Sequence, residues 1–436
     1  MSRPPAPKYA DALYFAAEVP ALGVATYTLV FDAAKNSTTT ALPTVTLGAS
    51  TISNAKLTVT FDQTTGLMAG VATKAAGTCA ATSHAVDQTF HQYIDSVGGA
   101  YVLVQRGPAQ RLADPVAVTT TKGPLFEEVV QTFAWGNGLQ QRVRLNSAGI
   151  DDVVEVEHAI GRLPTGREIV SRLTTDLNTN GGEVWTASSG FSELRPRPFN
   201  TTGPISSNYH ALVQTAAIRD AADGRQVSVL SSRTMGVAGL GNGRLEYMLL
   251  RRLIDASDNQ GPWPLDETED IIETMWLQFG CAANLEPVRF PRALQLEAQP
   301  ILLYAPQAPK VTQPVHPLGA PLPDNVWLDL LVRHTLYDTD VVPEYSLRLQ
   351  NVVVGSEPVT VSLSALGVSM KTCKETTMTY EMGRSENNEV RLVWKGQGEN
   401  ATESEPAVAE APSDACDAST EVVLAPLDMR TFVVTV

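Results

Sequence analysis

The chain has 436 residues, 43% of them hydrophobic, and a formal net charge of −15 from 47 acidic and 32 basic side chains. That length predicts about two or three domains, and the composition is ordinary for globular proteins with sizeable cores. The acidic balance speaks against a nucleic-acid partner, because it repels a phosphate backbone. No run of about 18 apolar residues is present to form a membrane-spanning helix. The first residues, Met1 to Lys8, hold three prolines and no apolar stretch, so no signal peptide is read there.

In chain order the pattern is that of short strands. From Ile52 to Phe61, Leu57, Val59 and Phe61 alternate with polar residues, which predicts a half-buried strand. Asp62 to Gly66 then turns the chain, with Gly66 free to take a positive φ, and Leu67 to Val71 starts the return strand of a hairpin. The same grammar recurs at Val153–His158, at Val227–Leu230 after an Asp220–Gly224 turn, and at Leu245–Leu250 after Gly241-Asn242-Gly243. It continues at Val359–Leu363, Arg391–Trp394 and Thr431–Val436. Amphipathic helical windows are few and short, so an all-β protein built of sandwiches is expected. Six prolines between Ala305 and Pro323 mark a stiff linker at 305–323. A stretch rich in Glu, Ala, Pro and Ser, Gly396 to Ser419, reads as a long loop inside the last sandwich.

Signals for chemistry are sparse. The six histidines form no HxD, HxH or HExxH pair, so no zinc site is expected on this chain. There is no GxSxG motif and no glycine-rich phosphate loop. The four cysteines, Cys79, Cys281, Cys373 and Cys416, lack CxxC spacing; they allow free thiols or two disulfides in any of three pairings. Three glycosylation sequons begin at Asn36, Asn200 and Asn400, against about two expected by chance in a chain this long. Phe90, Tyr93 and Tyr101 stand at strand spacing. Such residues are ordinary sheet aromatics, and equally what a sugar-binding surface uses for stacking and a hydrogen bond.

Several blocks together carry a resemblance. Gln88-Thr89-Phe90-His91-Gln92-Tyr93 leads into Gly98-Gly99-Ala100-Tyr101. Further blocks are Val19–Tyr27, the Ile52–Leu67 hairpin, Ile160–Pro164 with Gly166–Arg172, Leu177–Asn180, Trp185–Gly190, Leu245–Leu253 and Leu424–Phe432. In sequence and in order these resemble the β portion of glycoside hydrolase family 38 α-mannosidases, the lysosomal branch above all.

The resemblance implies the end of a small β-sandwich over 1–45, a large galactose-mutarotase-like sandwich over 46–304 and a smaller C-terminal sandwich over 324–436. It implies hydrolysis of α-mannosidic bonds in glycans, a lysosomal or secretory location, and a zinc-containing catalytic barrel whose sequence is not part of this chain. No cofactor is then expected on the chain itself, and a separate barrel chain is an expected partner beside mannose-containing glycans. By position Tyr101 would face substrate, and Gln260 and Gly261 would line the cleft. Two departures stand out: Ala187 replaces an aspartate of the family, and Gln260 stands where the family has an arginine, which removes a fixed charge. A stand-alone carbohydrate-binding module and an inactive remnant are the alternatives.

Overall fold

The computed structural model describes residues 14–28, 44–47, 51–75, 79–94, 103–187, 193–253, 265–303, 314–315, 318–332, 344–390 and 414–436. Most of the 305–323 linker, the Arg391–Trp394 strand and most of the Gly396–Ser419 loop lie outside them. The chain divides into two compact units, Met1–Ala17 with Val30–Ile301, and Glu18–Leu29 with Leu302–Val436. The protein is all-β, with antiparallel pairing throughout the described ladders.

The first unit is two facing sheets. One has ten strands, running from edge to edge through Thr44–Leu47, Ala117–Lys122, Phe126–Phe133, Leu139–Asn146, Val154–Ile160, Ile271–Cys281, Arg225–Ser231, Thr215–Arg219, Val184–Ala187 and Leu194–Arg197. The other runs through Tyr209–Leu212, Met235–Gly239, Arg244–Arg252, Arg167–Thr175, Thr82–Ile94, Met68–Thr73, Leu57–Phe61 and Thr51–Ser53, with Gln110–Arg111 pairing onto the 82–94 strand as its ninth member. Alternation places the core between them. Val154, Val156, His158 and Ile160 are buried while Glu155 and Glu157 turn outward. From the opposite sheet Val86, Phe90, Leu245 and Tyr247 meet them, with Phe90 edge-on to Phe133 at 5.0 Å between ring centroids.

The predicted turns form where expected. Gly66 takes φ 71° and Gly224 φ 72°. Gly243 takes φ 68° against the carbonyls of Thr175 and Leu177, so close that an added Cβ would sit 2.5 Å from the Thr175 oxygen. The expected strand at Ile52–Phe61 is corrected to two. Asn54 folds the segment back, its side-chain oxygen accepting the backbone N–H groups of Lys56 (2.8 Å) and Leu57 (2.7 Å), and Ile52 pairs across to Val59. Leu363, expected at the end of a strand, opens a 3-10 turn.

Periodicity gave no warning of the 16-residue helix Ala282–Glu297, which contains Pro287 and Pro291. Two interior prolines each remove a backbone donor and oppose helix. Packing overrides them: Trp276 and Leu230 of the ten-stranded sheet, with Val153 just before its 154–160 strand, take up Ala293 and Leu296. The fully buried Arg289 pairs with Glu286 at 2.9 Å and donates to the Thr215 hydroxyl.

The second unit is a smaller two-layer sandwich. Val326–Val332, Glu344–Asn351, Met429–Thr435 and Thr372–Thr376 form a four-stranded sheet, in that order, and Val359–Ser362 pairs with Glu421–Leu424. Leu347, Leu349, Phe432 and Val434 from the first sheet pack with Val361, Val422 and Leu424 from the second. All four cysteines are bridged, Cys79 with Cys281 and Cys373 with Cys416, which selects one of the three pairings.

Candidate functional site

The 82–94 and 244–252 strands flank the 167–175 strand in the nine-stranded sheet and run parallel to one another. Their ends share one register row: Ile94 lies opposite Arg167, and Arg167 opposite Arg252. Two strand spacings, about 10 Å, separate Ile94 from Arg252. The 95–102 segment with Tyr101 continues from Ile94, and the 254–264 segment with Gln260 and Gly261 continues from Leu253. Tyr101, Gln260 and Gly261 themselves lie outside the described residues. The topology therefore brings the origins of both candidate segments to one end of one sheet.

Both origins are firmly held. Leu253 and Leu265 form a β-bridge across the base of 254–264, the Leu253 N–H donating to the Leu265 carbonyl at 2.9 Å. Beside it the Arg252 guanidinium, 7% exposed, donates to Asp266 at 2.7 Å and to the Leu163 carbonyl at 2.8 Å. Arg251 pairs with the buried Glu168 at 2.8 Å. The two adjacent arginines thus have different anionic partners within the protein.

At the origin of 95–102, Tyr93 is 1% exposed and donates its hydroxyl to Glu246 at 2.7 Å. Glu246 is fully buried and accepts also from Tyr209 and from Arg172, whose Nε stands at 2.8 Å. Burial first, and then the Glu246 charge, push the Tyr93 and Tyr209 phenols far above their ordinary range, so both stay protonated donors. The Glu246 oxygens are held by three side chains from three strands. The knot locks the strand end one residue before Ile94.

Phe90 and Tyr93 are packing residues, the one in the core and the other in this knot. The sequence reading missed Glu246, Arg172 and Tyr209. A signal existed, since Glu246 and Arg172 each interrupt an apolar strand, and opposite charges in such places survive burial by pairing.

Among the described residues no three His, Cys, Asp or Glu side chains are grouped to hold a metal ion. His84, His91 and His158 are buried. Burial, reinforced by nearby arginines, holds His84 and His91 down at about 4 and His158 at about 3. An open depression of about 640 Å³ lies at the far end of the 82–94 strand, walled by Cys79, Ser83, Arg225 and Cys281. Its one arginine is already neutralised by Asp176 and Asp223, at 2.7 and 2.8 Å.

Fold and site together define a β-sandwich module with an organised feature at the shared end of three strands. Residues 52–260 match the family model described as the glycosyl hydrolases family 38 C-terminal domain. The epididymis-specific alpha-mannosidase of Homo sapiens is 30% identical over 188 residues, covering 41% of this chain and 18% of the relative. The lysosomal alpha-mannosidase of Homo sapiens is 32% identical over 270 residues, 56% of this chain and 25% of the relative. That of Dictyostelium discoideum is 25% identical over 430 residues, 88% and 40%. Among solved structures, an alpha-mannosidase from Enterococcus faecalis V583 superposes with a TM-score of 0.59 at 11% identity, over 89% of this chain and 42% of that one, a likeness of fold. Residues 52–260 thus carry a glycosyl hydrolase family 38 C-terminal domain. The chain spans less than half the length of these relatives.

Proposed function

We propose that this chain is the β half of an α-mannosidase acting on mannose-containing glycans. In this reading it braces a zinc-containing catalytic barrel, supplied by the rest of a longer protein or by a separate chain. It completes the substrate cleft with the 95–102 and 254–264 segments. The observation that carries the reading is the shared register row of Ile94, Arg167 and Arg252, which delivers both segments from one pinned sheet end. Tyr101 would offer substrate an aromatic face and a hydroxyl, and Gln260 a neutral amide where a family arginine would stand. A lysosomal or secretory location fits the lysosomal relatives and the two disulfides, which persist in oxidising compartments.

The test is reconstitution. The chain is co-expressed with the barrel of a family member, and turnover of an aryl α-mannoside is followed. The chain alone is expected to be inactive, and the pair active. Tyr101→Ala is expected to lower kcat/KM by about tenfold to a hundredfold, the worth of one hydrogen bond to a charged or developing centre, with unchanged thermal stability. Turnover by the chain alone, or full activity of the Tyr101→Ala pair, would overturn the reading.

A further inference from the structure

The outer face of the four-stranded sheet in the second unit carries a small depression that shares no residue with the proposed cleft. Alternation sends Leu347, Cys373, Phe432 and Val434 into the core, which turns Glu344, Thr372, Lys374, Thr376 and Val433 to the opposite face. The Met429–Thr435 strand runs between the other two. Its Thr435 pairs with Glu344 on one side and Thr372 on the other, and its Val433 pairs with Lys374. Two strand spacings, about 10 Å, therefore separate Glu344 from Thr372. The depression holds about 180 Å³ and is completed by Tyr380 and Glu381.

Tyr380 reaches it from a tight connection. Thr376 bridges to Gly383, the Thr377 N–H donates to the Met382 carbonyl at 3.0 Å, and the Tyr380 N–H donates to the Thr377 carbonyl at 3.0 Å. Inside this closed loop Tyr380 takes φ 66°. That left-handed conformation is costly for a bulky residue and free for glycine. The ring is fixed by the Arg348 guanidinium, 4.9 Å from its centroid. Arg348 is held in turn by Asp329 and by the Met378 carbonyl, both at 3.3 Å. The turn itself does not call for an aromatic side chain, since glycine or asparagine would make it with less strain. Strained residues of this kind cluster at ligand clamps.

We propose that this depression binds one hexose unit of a glycan, at a site separate from the Tyr101 segment. Its volume equals about six water molecules at about 30 Å³ each, the room of a single sugar ring. Tyr380 offers an aromatic wall to the C–H face of the ring, and Val433 an apolar base. Glu344 and Glu381 accept from sugar hydroxyls, Lys374 donates, and the Thr372 and Thr376 hydroxyls do either. Two carboxylates against one ammonium disfavour an anion, and three charged heads disfavour an alkyl ligand. A neutral ring rich in hydroxyls satisfies both conditions. The site does not depend on whether the chain completes an α-mannosidase cleft.

The test uses the full chain with methyl α-mannoside as probe, read by saturation-transfer NMR and by calorimetry. Saturation is expected to be strongest on the sugar C–H protons that meet Tyr380. Tyr380→Gly is expected to weaken binding about tenfold, through loss of the aromatic contact. Its melting temperature should equal or exceed that of the parent chain, because glycine relieves the backbone. Lys374→Met changes an exposed side chain outside the turn and should weaken binding about tenfold as well. No saturation transfer with the parent chain, or undiminished affinity in both variants, overturns the site. So does a sharp fall in the Tyr380→Gly melting temperature with Lys374→Met binding like the parent, which would make Tyr380 a packing residue. A signal lost in Tyr101→Ala and kept in Tyr380→Gly would place the sugar at the cleft segment instead.

Discussion

At the scale of single residues, burial decides which polar groups matter. Glu246 is held by Arg172, Tyr93 and Tyr209. Removing one partner of a buried ion pair costs about 3–5 kcal/mol, because the other charge is left unpaired. Glu246→Ala is therefore expected to lower the unfolding free energy read from denaturant titration by that amount, and a change below about 1 kcal/mol would show the knot to be dispensable. His158 is the opposite case. It is fully buried between Phe90 and Tyr247, and neither ring nitrogen has a hydrogen-bond partner. An unsatisfied buried polar atom costs about 1–3 kcal/mol, so His158→Leu is expected to be neutral or stabilising at pH 7 in thermal unfolding, and more stabilising at pH 5. The sequence showed Phe90 and Tyr93 as strand aromatics, yet not that Tyr93 ends on a carboxylate 153 positions away. That pairing is set by strand order, which local pattern does not encode.

At the scale of elements, turn chemistry was legible and packing was not. Gly66, Gly224 and Gly243 mark turns because residues with side chains rarely adopt their positive φ. The Ala282–Glu297 helix was hidden because its two prolines point away from helix, and only the apolar seat on the ten-stranded sheet reveals it. The cysteine pairing was hidden for the same reason. Cys281 ends the strand that leads into that helix, and Cys79 precedes the 82–94 strand of the opposite sheet, so their bond ties the two sheets over a separation of 202 residues. Loop-closure entropy for that length is worth up to about 5 kcal/mol. Cys79→Ser is expected to cost about 2–5 kcal/mol, more than Cys373→Ser, whose bond closes only 43 residues. Equal unfolding midpoints for the two variants would contradict the entropic account.

At the scale of the whole molecule, the buried histidines set a pH dependence. His84 and His91 are held at about 4 and His158 at about 3, all below their ordinary value. The unfolded chain takes up protons from about pH 6.5 downward while the folded chain does not, so stability present at pH 7 is lost as pH falls through that window. Each histidine contributes a loss of about 2 kcal/mol by pH 5. Glu273 works the other way: burial raises its carboxyl, and acid relieves its cost. The net expectation is a melting temperature that declines from pH 7 to pH 4; a flat or rising profile would mean that these rings are solvated in the folded state. The family was legible from ordered sequence blocks spread over most of the chain. Of the candidate cleft only the strand ends are placed, because Tyr101, Gln260 and Gly261 lie outside the described residues.

The pinch at the base of 254–264 has an evolutionary reading. With Leu253 bridged to Leu265 and Arg252 clasped to Asp266, the segment between them is attached to the scaffold at a fixed gate. Lengthening such a closed segment costs little, about 0.6 kcal/mol for each doubling, and leaves the ladder beneath undisturbed. The 254–264 stretch is thus one that the fold allows to be exchanged as a cassette. Other sequences can be grafted there while the sheet that carries them stays the same.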